Sequence, residues 1–306
     1  MRFSHLLMAA IGAGLLVSSP ASAQDLTGTL KKIKETGVIA IGHRDSSVPF
    51  SYFDDKQQVV GYANDICLKI ADAVKQNLGL EKLEVKMVPV TSATRIPLMA
   101  NGTIDVECGS TTNNLERQKQ VSFTLTHFVT ANRFISKKAN KFETLEDLKG
   151  KTVVSTAGTS NIKQLTELNN TKNLGMTIIP AKDHADAFLM VETDRASAFV
   201  MDDVLIASLA ANSKNPDDYV ISKEALSVEP YGSMIRKDDP EFKKVVDTAM
   251  GNLFKDGTIA ALYDKWFLKP IPPKGITLNI PMSDEFKQVL AHPTDSGDPK
   301  DYAVKQ

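Results

Sequence analysis

Four basic side chains, Arg44, Arg95, Arg117 and His184, each lie shortly beyond an apolar run of the chain. Arg44 follows Gly42-His43, and Arg95 closes the turn Thr91-Ser92-Ala93-Thr94. Arg117 comes after Cys108-Gly109-Ser110-Thr111-Thr112, and His184 follows a run that ends at Ile179. Small hydroxyls and free backbone N–H groups at a strand end, with a guanidinium close by, can receive a carboxylate. The N–H groups point at the anion, and the rigid arginine fork gives it two parallel hydrogen bonds. The turn from Ser155 through Thr159 and Ser160 offers the same groups at the start of a helix. One acid stands opposite them: Asp202, after the run Ser197 to Met201, is placed to pair an ammonium, with a helix N-cap shared with Asp203 as its competing role. Any one of these cations alone would be an ordinary surface charge. Their recurrence after successive strands in both halves of the chain makes a site. Several cationic donors, many hydroxyls and one carboxylate match a small zwitterion with two carboxylates and one ammonium, which is an acidic amino acid.

Machinery to transform such a ligand is missing from the sequence. There is no G-x-S-x-G elbow and no H-E-x-x-H pair. His43, His127, His184 and His292 show no metal-ligand spacing, so neither a metal nor another cofactor is expected. Gly150-Lys151-Thr152 imitates the end of a phosphate-binding loop, but no glycine stands five residues before Gly150 and the motif precedes its strand. Phe50, Tyr52 and Phe53 could wall a site, although aromatics near a strand end are more often core.

The elements that must position these groups alternate between strand and helix. Val38 to Ile41, between Gly37 and Gly42, suits a strand buried on both faces, and Tyr62, Ile66, Ile70 and Val74 fall at helical spacing. Val85 to Val90 predicts a second strand, Ile96 to Ala100 a short helix and Thr103 to Val106 a third strand. The pattern restarts with a capped turn at Thr144 to Asp147, strands at Thr152 to Val154, Met176 to Ile179 and Ser197 to Met201, and helices through Leu168 and over Asp183 to Val191. A long helix opens at Asp239-Pro240, a last one carries Leu262 and Trp266, and the final dozen polar residues are expected to fray. This alternation implies two α/β lobes with strand-end turns facing each other, because ligands of open α/β sheets sit beyond the carboxyl ends of the strands.

The amino-terminal residues bound the compartment. Met1-Arg2, the apolar run Leu6 to Val17 and Pro20-Ala21-Ser22-Ala23 read as a cleaved signal peptide over residues 1–23, since the run is too short to span a bilayer. The formal charge of −1, or −2 once Arg2 is removed, invites neither nucleic acid nor an anionic membrane. An exported chain permits a bridge between its two cysteines, Cys67 and Cys108, worth roughly 3–4 kcal/mol by loop-closure entropy; two buried thiols are the alternative.

At several points the chain resembles the periplasmic solute-binding proteins of polar amino-acid ABC transporters, family 3. The resemblance is carried by Gly37-Val38-Ile39 through Gly42-His43-Arg44-Asp45-Ser46-Ser47-Val48-Pro49-Phe50-Ser51-Tyr52 and by Glu107-Cys108-Gly109-Ser110-Thr111-Thr112-Asn113-Asn114 with Glu116-Arg117-Gln118-Lys119-Gln120. Ala181-Lys182-Asp183-His184, Met201-Asp202-Asp203, Arg236-Lys237-Asp238-Asp239-Pro240 and Lys265-Trp266-Phe267 extend it across residues 30–283. It implies a two-lobed type II clamshell, each lobe a mostly parallel sheet flanked by helices, with crossover hinge segments near His127–Thr130 and Val228–Tyr231. Residues 24–127 with 231–280 would form the first lobe and 128–230 the second, while a tail over 281–306 would pack on the first lobe or fray from it. The implied ligand is glutamate or aspartate. Arg117, Ser110 and Thr112 would take the α-carboxylate with help from Thr159 and Ser160. Asp202 with Ser110 would take the ammonium, and Arg44, Ser92, Arg95 and His184 the side-chain carboxylate. The implied protein is a periplasmic monomer without catalytic residues or membrane anchor, serving permease subunits. Two rival readings use the same clamshell: a dehydratase of prephenate-like acids, with Glu107 the nearest general acid, or a ligand-sensing module that reports to a receptor.

Overall fold

The computed structural model describes residues 26–303; the signal peptide expected over 1–23 lies outside them. Two sheets organise the chain. In the first, Glu84–Pro89, Val38–His43 and Val106–Cys108 run parallel, and Met234–Arg236 lies antiparallel between Val106–Cys108 and Val121–Phe123. In the second, Thr177–Ala181, Thr152–Thr156 and Ala198–Asp202 run parallel, and the long strand Phe128–Lys137 pairs antiparallel with Ala198–Asp202, Tyr219–Ile221 and Ser227–Tyr231. A small antiparallel sheet of Ser46–Ser47, Ser51–Phe53 and Val59–Val60 rides on the first lobe. The chain crosses between Phe123 and Phe128 and returns between Tyr231 and Met234.

Local sequence accounts for most elements. Ile39, Ala40 and Ile41 are buried, as a strand covered on both faces requires. The helix Tyr62–Asn77 buries Tyr62, Ile66, Ile70 and Val74 along one stripe. Asp183 caps the helix His184–Glu192 by accepting the Asp186 N–H at 2.9 Å, and Asp239 with Pro240 opens the helix Pro240–Lys255. The third strand is displaced from the expected Thr103 to Val106 and occupies Val106–Cys108. Asp105 stands at the edge of the ladder: its backbone N–H donates to the Ala40 carbonyl at 2.8 Å, while its buried carboxylate, paired with Lys32 at 2.8 Å, takes the place of a backbone acceptor for the Ala40 N–H at 2.9 Å.

An aromatic cluster closes the seam between the sheets. Phe128, at the first crossing, stacks on Phe267 at 4.8 Å and meets Phe50 edge-on at 5.0 Å, and Phe50 lies 5.2 Å from Tyr231 at the second crossing. Phe50 therefore belongs to the core, and Tyr52 donates to the Pro272 carbonyl at 2.8 Å, so these two do not line a ligand site. The tail packs as well: Phe286 and Val289 are buried on the helix Asp284–Ala291, and Tyr302 is 1% exposed.

Cys67 and Cys108 form a disulfide, with Cα atoms 6.2 Å apart, tying the helix Tyr62–Asn77 to the strand end that carries Gly109-Ser110. The bridge closes a loop across a separation of 41 residues. The paired Cys67→Ala, Cys108→Ala variant is expected to lose about 3–4 kcal/mol of unfolding free energy in urea titration. Unfolding curves that coincide with those of the parent would refute this.

Candidate functional site

Three parallel strands in each sheet end toward the seam, and every one is followed by a residue expected in the site. From the first sheet come Arg44 after His43, Ser92 and Arg95 after Pro89, and Ser110, Thr112 and Arg117 after Cys108. From the second come Thr159 and Ser160 after Thr156, His184 after Ala181, and Asp202 itself. All ten are brought together, and all except the half-buried Ser160 are buried.

The first-lobe side is a frame around three arginines. Arg95 Nη1 donates to the Ser110 carbonyl at 3.1 Å and to Thr111 Oγ1 at 2.5 Å, and Thr111 in turn donates to Glu107 Oε2 at 2.6 Å. Glu107 Oε1 lies 3.9 Å from Arg95 Nη1, so this buried carboxylate is its counter-charge. Arg117 Nη1 donates to the Thr112 carbonyl at 2.7 Å, and its backbone N–H donates to Asn114 Oδ1 at 2.9 Å. The Arg44 backbone N–H is fixed by Ser51 Oγ at 2.9 Å, and Ser110 Oγ donates to Ser47 Oγ at 3.3 Å. Arg44 Nη1, Arg95 Nε and Ser92 Oγ are buried with no hydrogen-bond partner among the described residues.

The second-lobe side meets this frame directly. Arg117 Nη2 donates to the Gly158 carbonyl at 3.2 Å, Ser160 Oγ donates to Thr112 Oγ1 at 3.2 Å, and Lys163 pairs with Glu116. Gly158 has φ +77°, and a Cβ there would stand 2.5 Å from the Ala93 Cα, so only glycine lets the two turns approach this closely. Arg117, Glu116, Gly158, Ser160 and Lys163 border a hollow of about 550 Å³ along the seam. The Thr159 hydroxyl accepts the Ile162 N–H and donates to the Thr156 carbonyl. It caps the helix Ser160–Thr171, which leaves backbone N–H groups as the donors this turn can offer a ligand.

His184 sits between Thr156 Oγ1, 2.8 Å from Nδ1, and Arg44 Nη2, 3.5 Å from Nε2. Burial first, then the charges of Arg44 and Arg95, hold its pKa well below the ordinary histidine value. The ring is neutral at physiological pH. Because Arg44 can only donate, Nε2 accepts and Nδ1 carries the proton toward Thr156. Asp202 occupies the N-cap position of the helix Asp203–Asn212 without capping it. Its carboxylate instead accepts Asn161 Nδ2 at 2.7 Å and the Tyr231 hydroxyl, while Asp203 takes Arg133 at 3.1 Å. Burial first, then the charge of Glu229, pushes Asp202 up to about 7, against the donors Tyr231 and Asn161.

The three arginines share a similar strain. Burial lowers Arg44 and Arg117 to about 10, with repulsion from Arg95 next, and burial likewise lowers Arg95 itself. They remain charged at neutral pH but are desolvated and close enough to repel one another. An anion among them relieves both costs.

Several contributing residues were not anticipated. Thr156 orients His184, Asn161 and Tyr231 hold Asp202, and Thr111 with Glu107 holds Arg95. Glu229 accepts Ser160 Oγ at 3.0 Å and Gln164 Nε2 at 2.7 Å. Thr111 and Thr156 stand inside recognised turns and carried a signal. Tyr231 and Asn161 reach Asp202 across 29 and 41 positions of sequence, where no local pattern joins them.

The model of the bacterial extracellular solute-binding proteins, family 3, matches residues 39–269. The chain is 51% identical over 296 residues to the L-glutamate/L-aspartate-binding protein of Pseudomonas aeruginosa, covering 96% of this chain and 98% of that one. It is 47% identical over 290 residues to the glutamate/aspartate import solute-binding protein of Escherichia coli, covering 95% and 96%. Among solved structures it is similar to an ancestral arginine-binding protein bound to arginine, with a TM-score of 0.69 and 28% identity over 76% of this chain and 98% of that chain.

Proposed function

The chain belongs to the bacterial extracellular solute-binding proteins of family 3, and from that premise we propose that it captures L-glutamate or L-aspartate and delivers it to the permease of an ABC importer. The carrying observation is the convergence of buried Arg44, Arg95 and Arg117, neutral His184 and Asp202 at one seam between two lobes. In this reading Arg117 with Ser110, Thr112 and the N–H groups at Thr159 and Ser160 holds the α-carboxylate, and Asp202 takes the ammonium. Arg44, Arg95 and Ser92 receive the side-chain carboxylate through donors without a partner among the described residues, and His184 supports that end of the site by accepting from Arg44. A cationic side chain such as that of arginine would meet two guanidinium groups there and be repelled. A ligand held by both lobes favours the closed arrangement, in which Arg117 reaches Gly158 and Ser160 reaches Thr112, and the closed form is what the permease would read. Export to the periplasm after leader cleavage, and action as a monomer, complete the proposal.

The chain is a transport component and not an enzyme, as are the relatives it matches so closely. The dehydratase reading also loses its candidate acid: Glu107 accepts from Thr111 and faces Arg95, a counter-charge with no free path to a substrate. A thermal-shift screen of the twenty amino acids tests the proposal. At a ligand concentration of 100 Kd, glutamate and aspartate are each expected to add about 2.7 kcal/mol, a rise of several degrees. Stabilisation by arginine or glutamine in their place would overturn it.

A further inference from the structure

The family match ends at residue 269, yet the chain beyond it folds back onto the turn that carries Arg117. Asn113 is fully buried, and its Nδ2 donates to the carbonyls of Asp295 at 2.8 Å and Ser296 at 3.2 Å. Gln118 Nε2 donates to Asn113 Oδ1 at 2.9 Å and to the Asp295 carbonyl at 3.0 Å. Gly297 lies so close that a Cβ there would stand 2.8 Å from the Asn114 carbonyl carbon. The same stretch grips the first crossing: the Thr126 N–H donates to the Thr294 carbonyl at 2.8 Å, and Thr126 Oγ1 lies 2.7 Å from the Tyr302 hydroxyl. That hydroxyl donates to the Ser296 carbonyl at 2.7 Å, so the strand of tail is closed into a loop. Lys243 fixes its outer edge through Asp295 at 2.9 Å.

We propose that residues 293–302 are a positioning strap that sets the orientation of Arg117, so that affinity for the ligand's α-carboxylate depends on a tail that never touches the ligand. The physical argument is preorganisation. Residues 113–118 form a turn whose own bonds, Asn114 Oδ1 to the Arg117 N–H and the Asn114 carbonyl to the Gln118 N–H, hold only its inner half. The outer half is pinned at one backbone point, where the Asn113 N–H donates to the Pro230 carbonyl at 2.7 Å, and its side chains Asn113 and Gln118 are held by the tail carbonyls. Without them the guanidinium would have to be ordered when the ligand binds, at the expense of affinity.

The inference rests on Arg117 being the α-carboxylate receptor, and the experiment separates the two ideas. Calorimetry on the parent chain must first show glutamate binding; if it shows none, the functional proposal fails. Ending the chain after His292 is expected to weaken glutamate and aspartate binding by the same factor, about tenfold, the cost of ordering one or two side chains on binding. In an Arg117→Lys background, where the fork is already lost, the same truncation should cost at most about twofold. A full tenfold loss there would mean the tail acts on the lobe as a whole and would refute the strap. Tyr302→Phe removes only the hydroxyl and its bonds to Thr126 and the Ser296 carbonyl, and is expected to weaken both ligands about two- to threefold. It decides the matter should the truncated chain not fold: affinities equal to the parent's would overturn the proposal.

Discussion

Arg117→Ala is expected to weaken glutamate binding by two to three orders of magnitude. Arg117 is 7% exposed, donates to Thr112 within its own lobe and reaches the Gly158 carbonyl across the seam. Truncating one partner of a buried, hydrogen-bonded charge pair costs about 2–5 kcal/mol, since the other charge is left desolvated and unpaired. Here that other charge is the ligand's α-carboxylate, and the seam loses one of its own bonds as well. Arg117→Lys should recover only part of the affinity, because a lysine keeps the charge but not the two parallel donors. Glutamate and aspartate should lose the same factor, as their α-carboxylates are identical. Calorimetric affinities within threefold of the parent's would show that Arg117 does not hold the ligand. Loss confined to one of the two ligands would move it to the side-chain end of the site.

How far the sequence could reveal this site depended on whether its signals were local. Each strand end is announced by an apolar run that gives way to small or polar residues, with glycine after Ile41 and Cys108 and hydroxyls after Val90 and Cys108, so Arg44, Arg95, Arg117, His184 and Asp202 could be placed at turns without knowing how the sheets pair. The depth of burial could not be read in this way. A lone Arg44 looks like a surface charge, and only the meeting of two lobes leaves it 2% exposed. The Thr159 hydroxyl shows a different limit: its residue type suits an anion receptor, and only the folded helix shows that the same oxygen also serves as an N-cap. Glu107 carried no pattern of its own, because a buried acid is explained only by the arginine it faces.

The tail shows a second kind of blindness. Apolar periodicity finds segments that are held by burial, and residues 293–303 are held mostly by backbone carbonyls that accept from Asn113, Gln118, Thr126 and Tyr302. A polar composition says nothing against such an arrangement, since every carbonyl is an acceptor whatever its side chain. The helix Asp284–Ala291, beyond the last one expected at Leu262 and Trp266, was missed as well, although Ser283 caps it and Phe286 and Val289, three apart, are buried. The displaced third strand is a related case, for the Asp105 carboxylate replaces a backbone acceptor opposite Ala40, which no alternation of residue types records.

Asp202→Asn should cost a similar factor at pH 8 and should also abolish a pH dependence that the parent is expected to show. Burial and Glu229 raise Asp202 to about 7 in the closed arrangement, so at pH 6 the closed site without an ammonium holds this carboxyl mostly protonated. A ligand ammonium brought beside it favours the charged form and lowers that pKa, and binding below pH 7 must therefore release a proton. The sign follows: affinity rises with pH, close to tenfold per unit below about 7, and levels off above it. Between pH 5.5 and 8 both ligand carboxylates stay ionised, with the side-chain group ordinarily near 4.3, so the slope belongs to the protein. Neutral His184 contributes nothing in this window, because its pKa lies well below the ordinary value. Calorimetry at pH 6 in two buffers of different ionisation enthalpy would detect the released proton in the parent and none in Asp202→Asn. Glutarate, which lacks the ammonium, provides the control: the parent should prefer glutamate to it strongly at pH 8, and Asp202→Asn should lose most of that preference. An affinity that is flat from pH 5.5 to 8 in the parent, or a glutamate preference that survives the substitution, would show that the ammonium is held elsewhere.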